Sequence, residues 1–252
     1  MRLDRICITM SSETLSRSDF DARRADGELS LTLVGMSNVG KSFWSGRLAD
    51  EAGFGRVNMD DLIEAELAVA LRNEGYSGGI ADVAKWMGQP YDSQFPANQQ
   101  TYLDLETTMM QQTIDRIANP PLDGNLVVDT TGSVVHTDET LRKEIGVHST
   151  VVYLEATADM QQKMFEMYMA EPKPVVWGDV YTQAPGETEN QALARSYPEL
   201  LARRSVLYRQ MAHVAIPREV SLAIADTDEF LAYVRDMLPT SYAHSASYTS
   251  SH

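Results

Sequence analysis

The chain has 252 residues, 43% of them hydrophobic, and a net charge of −15. That length suits one large domain with an ample core, and that charge excludes a general nucleic-acid or anionic-membrane surface, so positive charge has to be placed locally. The single cysteine, Cys7, excludes an internal disulfide and fits a reducing, cytoplasmic setting, and no apolar run approaches the roughly 18 residues that cross a bilayer.

Residues 1–28 mix Arg2, Arg5, Arg17, Arg23 and Arg24 with Asp4, Glu13, Asp19, Asp21 and Asp26. Transit peptides are poor in acids and a secretory signal needs an apolar stretch, so the segment reads as a polar N-terminal extension, with the folded part starting near Gly27. Leu29 to Val34 predicts a buried strand. It runs into Gly35-Met36-Ser37-Asn38-Val39-Gly40-Lys41-Ser42, which fits G-x-x-x-x-G-K-[ST], and a helical pattern (Phe43, Trp44, Arg47, Leu48) continues to Gly53. Glycines let backbone N–H groups curl around a phosphate, and the next helix points its positive end at the same anion. This is a phosphate-binding loop. Gly35, Ser37, Asn38, Val39, Gly40, Lys41, Ser42 and Phe43 are the positions expected around the nucleotide. Lys41 reaches the β- and γ-phosphates there, and the Ser42 hydroxyl ligates Mg²⁺.

Gly55 to Asn58 predicts a second strand, and Met59 to Leu67 opens a helix capped by Asp60 or Asp61, with Leu62, Ile63, Leu67 and Leu71 at helical spacing. Residues 75–100, punctuated by Gly75, Gly78, Gly79, Gly88, Pro90 and Pro96, read as a long acceptor-side insertion with a short helix over Ile80 to Met87. A helix over 97–118 ends at Asn119-Pro120-Pro121. Asn125 to Asp129 is an apolar strand ending in an acid. At the C-terminal end of a parallel strand Asp129 either serves Mg²⁺ or caps the polar turn Thr130-Thr131-Gly132-Ser133. Val151 to Glu155 and His213 to Ile216 complete five strands. Strands alternating with helices predict a doubly wound parallel sheet with helices on both faces. The domain expected is 29–238, and 239–252 is a Ser-rich polar tail read as disordered.

Over roughly residues 29–217 the chain resembles the shikimate kinase group of phosphate-loop small-molecule kinases. After the phosphate loop, Asn58 to Glu64 resembles that group's D-x-D-x-x-I-E, and Tyr102 to Glu106 its F-R-x-x-E. Val128 to Ser133 resembles its strand ending in T-G-G-G, Lys173-Pro174-Val175-Val176 its lid segment R-P-L-L, and Leu200 to Tyr208 its L-x-x-R-x-P-L-Y. The resemblance implies a P-loop NTPase fold with a mobile lid over 170–195, and ATP and Mg²⁺ as ligands. It places Lys41, Asp60 and Lys173 in catalysis, Asp60, Gly132, Ser133 and Arg204 at the acceptor, and Ser42 with Asp129 at the metal. Arg204 falls on an arginine that holds the acceptor's carboxylate.

The departures fall on the acceptor side. Leu103 stands where the group has its other carboxylate-binding arginine, which leaves Arg203 or Arg195 as substitutes. Asn58 replaces the first acid of D-x-D, and Thr131 and Ser133 replace two glycines. Lys173 keeps the lid's charge and loses the guanidinium fork. Met160, Met164, Met167, Phe165 and Tyr168 form an apolar stripe that reads as core or lid-hinge packing. Trp177 either stacks on a ligand or packs the lid, and Glu187 and Glu189 read as a solvated lid face. No His pair has metal-ligand spacing. The expectation is a Mg·ATP-dependent kinase of a small-molecule hydroxyl, monomeric or homodimeric, with no nucleic-acid or membrane partner. The alternative is a nucleotide-binding module that has lost phosphoryl transfer.

Overall fold

The computed structural model describes residues 15–119, 122–171 and 173–240. Cys7 and the tail beyond residue 240 lie outside the described residues. In chain order the elements are α1 (Arg17–Asp26), β1 (Ser30–Val34), α2 (Lys41–Ala52), β2 (Gly55–Asn58), α3 (Met59–Asn73), α4 (Ile80–Met87) and α5 (Phe95–Ala118). Then come β3 (Leu126–Asp129), a 3-10 turn (Val134–His136), α6 (Glu139–His148), β4 (Thr150–Leu154), α7 (Ala158–Ala170), α8 (Glu189–Met211), β5 (Val214–Ile216), α9 (Arg218–Ala223) and α10 (Thr227–Met237).

The strands form one parallel sheet in the order β2-β3-β1-β4-β5. The chain moves outward from β1 to one edge and then to the other, so right-handed crossovers place helices on both faces, with the ligand crevice where the order reverses. This is the fold class expected from the sequence. The inner strands β1, β3 and β4 are buried along their whole length, as their continuous apolar runs require, and edge strand β2 is more open. At the β2–β3 rung Asn58 pairs with Asp129. The two positions therefore stand side by side at the crevice floor.

Two elements differ from the sequence reading. Residues 17–26 are a helix of the fold, not an extension. Ser16 caps α1, accepting from the Asp19 amide at 3.3 Å, Gly27 ends it in the left-handed region, and Phe20 is buried. Ion pairs Asp21–Arg235 and Arg24–Asp228, with Arg17 Nε donating to the Leu238 carbonyl at 2.9 Å, tie α1 to α10 and its C-terminal end. One apolar anchor among charges gives a helix its place while leaving its sequence polar. The cap of α3 is Asn58, which accepts from the Asp60 amide at 3.1 Å, so Asp60 and Asp61 sit in the first turn near the helix's positive end.

Candidate active site

The phosphate loop leaves β1 at Gly35, whose φ of +146° and closeness to Leu154 admit no side chain: a Cβ there would meet the Leu154 carbonyl oxygen at 2.7 Å. Asn38 (φ 64°) and Gly40 (φ 109°) also take positive φ, curling the loop into the form in which successive amides make an anion-binding concavity. Val39 is buried, so its side chain is structural, while Ser37, Asn38, Ser42 and Phe43 form the open rim. Lys41 is only 7% exposed, and its Nζ donates to the Gly35 and Met36 carbonyls at 2.9 Å each. Burial lowers its pKa, against the attraction of Asp129 and Asp60. Arg218, just after β5, donates to the Val39 carbonyl at 2.9 Å and so props the loop from outside.

Opposite the lysine lies an acidic floor. Asp129 is buried, and its Oδ2 accepts from Ser45 Oγ and from Arg56 Nη2, both at 3.1 Å. Arg56 Nε also donates to Ser45 Oγ at 2.9 Å. Asp60 Oδ1 faces the Tyr102 hydroxyl at 3.4 Å. The residue presents one side to solvent, yet the protein crowding its carboxyl raises its pKa; Lys41 opposes that rise and Asp129 adds to it.

Behind Asp60 sits a carboxyl absent from the expected site. Glu106, on α5, is fully buried, and accepts from Ser133 Oγ at 2.6 Å and from Thr131 Oγ1. Thr131 Oγ1 also accepts from the Ser133 amide at 3.0 Å. Burial pushes the Glu106 carboxyl up to about 7, against those two hydroxyls. Ser133 is thus turned inward, with side chain and amide both committed, which corrects its placement at the acceptor. Gly132 alone of the loop faces the cleft: a Cβ on it would lie 3.4 Å from Arg204 Nη1, 3.7 Å from Ser37 Oγ and 3.8 Å from the Ser37 nitrogen. Its carbonyl accepts from the Tyr208 hydroxyl.

Arg204, 6% exposed on α8, donates from Nε to His136 Nε2 at 3.1 Å and from Nη2 to the Val176 carbonyl at 2.6 Å. His136 is an acceptor here because burial and then Arg204 hold its pKa down to about 3. Two of the three guanidinium nitrogens therefore have protein partners in this structure. The substitutes are paired as well. Arg195 is bound to Glu187 and the Thr182 carbonyl, and Arg203 to Asp179 and Glu199. Leu103 packs against the core.

Lys173 Nζ reaches Asn38 Oδ1 at 3.4 Å, so the lid segment touches the phosphate loop. Trp177 packs the lid: it is fully buried, its ring edge-on to Tyr168, Tyr181 and Tyr197, and Gln99 Oε1 accepts from its amide at 2.6 Å. Glu187, expected on a solvated face, is clamped by Arg195.

In structure the chain resembles shikimate kinases. One from Acinetobacter baumannii, in complex with shikimate, is 20% identical and aligns over 86% of this chain and 92% of that chain, with a TM-score of 0.49. One from Bacteroides thetaiotaomicron is 13% identical over 83% and 96%, with a TM-score of 0.48. A gluconokinase from Sinorhizobium meliloti is 17% identical over 84% and 94%, with a TM-score of 0.39. No protein-family model matches the chain, and no curated protein matches it.

Sequence reasoning missed Arg56, His136 and Arg218. Arg56 was detectable only through register: it lies two residues before Asn58 on β2, the strand paired with Asp129's own. Nothing local marks His136 as the partner of a residue 68 positions away. Among the described residues no cluster of three His, Cys, Asp or Glu side chains is placed to hold a metal by itself. No helix among them is long and apolar enough to cross a membrane.

Proposed function

We propose that the protein is a Mg·ATP-dependent kinase that phosphorylates a hydroxyl of a small molecule. The observation that supports this most directly is the opposition of Lys41 and Asp60, which lie within electrostatic reach of each other across one cleft: burial lowers the Lys41 pKa against Asp129 and then Asp60, and raises that of Asp60 against Lys41. A cation for phosphate and a carboxyl for a hydroxyl proton are what phosphoryl transfer asks of a protein.

The curled loop, Lys41 and the helix α2 fit a nucleotide's phosphates, the lysine exchanging its two loop carbonyls for phosphate oxygens. Asp60 holds the acceptor hydroxyl and takes its proton as the acceptor oxygen bonds to the γ-phosphorus and the bond to the β-phosphate oxygen breaks. Its raised pKa makes it a better base than an ordinary aspartate. Lys173, carried to the loop by the lid, adds charge at the transferred group. Ser42 and Asp129 are the residues to hold Mg²⁺, which when bound supplies positive charge to the β- and γ-phosphate oxygens. The acid missing at Asn58 is replaced on the neighbouring strand at the same rung, a fit with the metal qualified by Arg56 on one Asp129 oxygen. That ion pair is the observation favouring the other reading, a nucleotide-binding module without transfer.

The deciding experiment is a coupled ADP-release screen against polyols, sugars, hydroxy acids and nucleosides, read across Mg²⁺ concentrations for the native protein and Asp129→Asn. Acceptor-dependent ADP release, with a raised Mg²⁺ requirement in the variant, is the expected result. Nucleotide binding without turnover on any acceptor favours the module.

A further inference from the structure

Arg204 is as buried as Lys41, and among the described residues no carboxylate lies within 4.0 Å of its guanidinium nitrogens. A buried charge without a counter-charge is costly, so such a group is expected to meet an anion when the site is in use. Two of its nitrogens are fixed by neutral acceptors, His136 Nε2 and the Val176 carbonyl. The guanidinium also hydrogen-bonds with the Tyr208 hydroxyl, and its Nη1 borders a gap beside Gly132 in which a methyl group would lie 3.4 Å from Nη1, 3.7 Å from Ser37 Oγ and 3.8 Å from the Ser37 nitrogen. Ser37 belongs to the phosphate loop. The anion that fits between Arg204 and that loop is thus a phosphate oxygen.

We propose that Arg204 binds the γ-phosphate of the nucleotide, the group to be transferred, through Nη1, and that His136 is a positioning residue that aims it. This rests on the kinase reading for the identity of the anion, and it gives the site a guanidinium at the phosphoryl group where the lid offers only the ammonium of Lys173. A planar guanidinium held by two fixed acceptors has its third nitrogen aimed without further ordering, whereas Lys173 must be brought in by the lid. His136 serves because it stays neutral: an imidazolium would repel Arg204 and have no lone pair to accept with.

The test is calorimetric titration of Mg·ADP and of Mg·AMP-PNP, a non-hydrolysable ATP analogue, into the native protein and four variants. Arg204→Lys removes the forked hydrogen bonding while keeping charge, and Gly132→Ala fills the gap with a methyl group in contact with Arg204 Nη1 and Ser37 Oγ while leaving both side chains in place. Each is expected to weaken AMP-PNP about 10-fold or more while leaving ADP within about 2-fold, the size of one lost charge-assisted hydrogen bond. His136→Ala should weaken AMP-PNP alone by a few-fold, and His136→Gln, which returns an acceptor oxygen, should restore it. Equal loss of both nucleotides, or no loss of AMP-PNP in either Arg204→Lys or Gly132→Ala, overturns the proposal and leaves the kinase reading intact. Native protein that binds neither nucleotide overturns both.

Discussion

The two banks of the cleft are built by different means. On the phosphate side the backbone does the work: the loop's shape follows from positive φ at Gly35, Asn38 and Gly40, and the one essential side chain, Lys41, rests on carbonyls of its own loop. On the acceptor side the work is done by side chains that meet from afar, Glu106 with Thr131 and Ser133, Arg204 with His136, Asp60 with Tyr102. A backbone-built site is written in consecutive residues and tolerates little change. A site built from distant side chains can be rewritten one contact at a time, and here it holds Leu103 and two hydroxyl residues where the resembled group has an arginine and glycines.

The comparison is broken most directly at Lys41. Lys41→Ala should abolish turnover and remove the melting-temperature rise that millimolar Mg·ATP gives the native protein by mass action. A native melting curve unmoved by Mg·ATP would show that the phosphate side does not bind what its shape suits. Asp60→Asn comes next. It should lower turnover by about 10²-fold or more and leave nucleotide affinity nearly unchanged, because it removes a proton acceptor and spares the loop. Full turnover in that variant on the true acceptor would remove Asp60 from the chemistry.

What could be read from the sequence follows the same division. The phosphate loop, the five strands and their parallel sense were legible because glycines and apolar runs are local signals, whereas the strand order was not. The Asn58–Asp129 rung was half legible: an acid at the end of β3 was visible, its pairing with β2 was not. The helix α1 was hidden because Phe20 is its one buried residue and its hold on α10 is ionic. The inward turn of Thr131 and Ser133 was hidden because Glu106 lies 25 residues before Thr131, on α5, and its meaning depends on burial that no residue near it announces.

A smaller effect separates the acceptor from that of the resembled group. Shikimate should be a poor substrate or none, since fixing a small carboxylate typically takes a bidentate arginine and its loss costs about 10- to 100-fold in affinity. Leu103 is partly buried against the core, and Arg195 and Arg203 are paired elsewhere. Steady-state ADP release with several millimolar shikimate, native beside Leu103→Arg, tests this expectation. A native kcat/KM of about 10⁵ M⁻¹s⁻¹, ordinary for an enzyme on its own substrate, would count against it.

The smallest effect is on stability, and it asks whether the acceptor side is held by the carboxyl under it. Glu106 is fully buried, and burial raises its carboxyl to about 7 from an ordinary 4.5. The folded state therefore keeps a proton that the unfolded chain gives up, so the contribution to stability is full below the unfolded value and is lost as pH climbs through the folded one. Between about pH 4.5 and 7 the native protein should lose stability on this account, while Glu106→Gln, neutral at every pH and able to accept from one of the two hydroxyls and donate to the other, should not. At roughly 1.4 kcal/mol per pH unit of separation, and about 2–4 °C per kcal/mol for a chain this size, the difference between the two melting curves should change by about 5–10 °C from pH 5 to pH 8. Parallel melting temperatures for the two proteins across this range would mean that Glu106 is ionised throughout and that the two hydroxyls, not a proton, carry its burial.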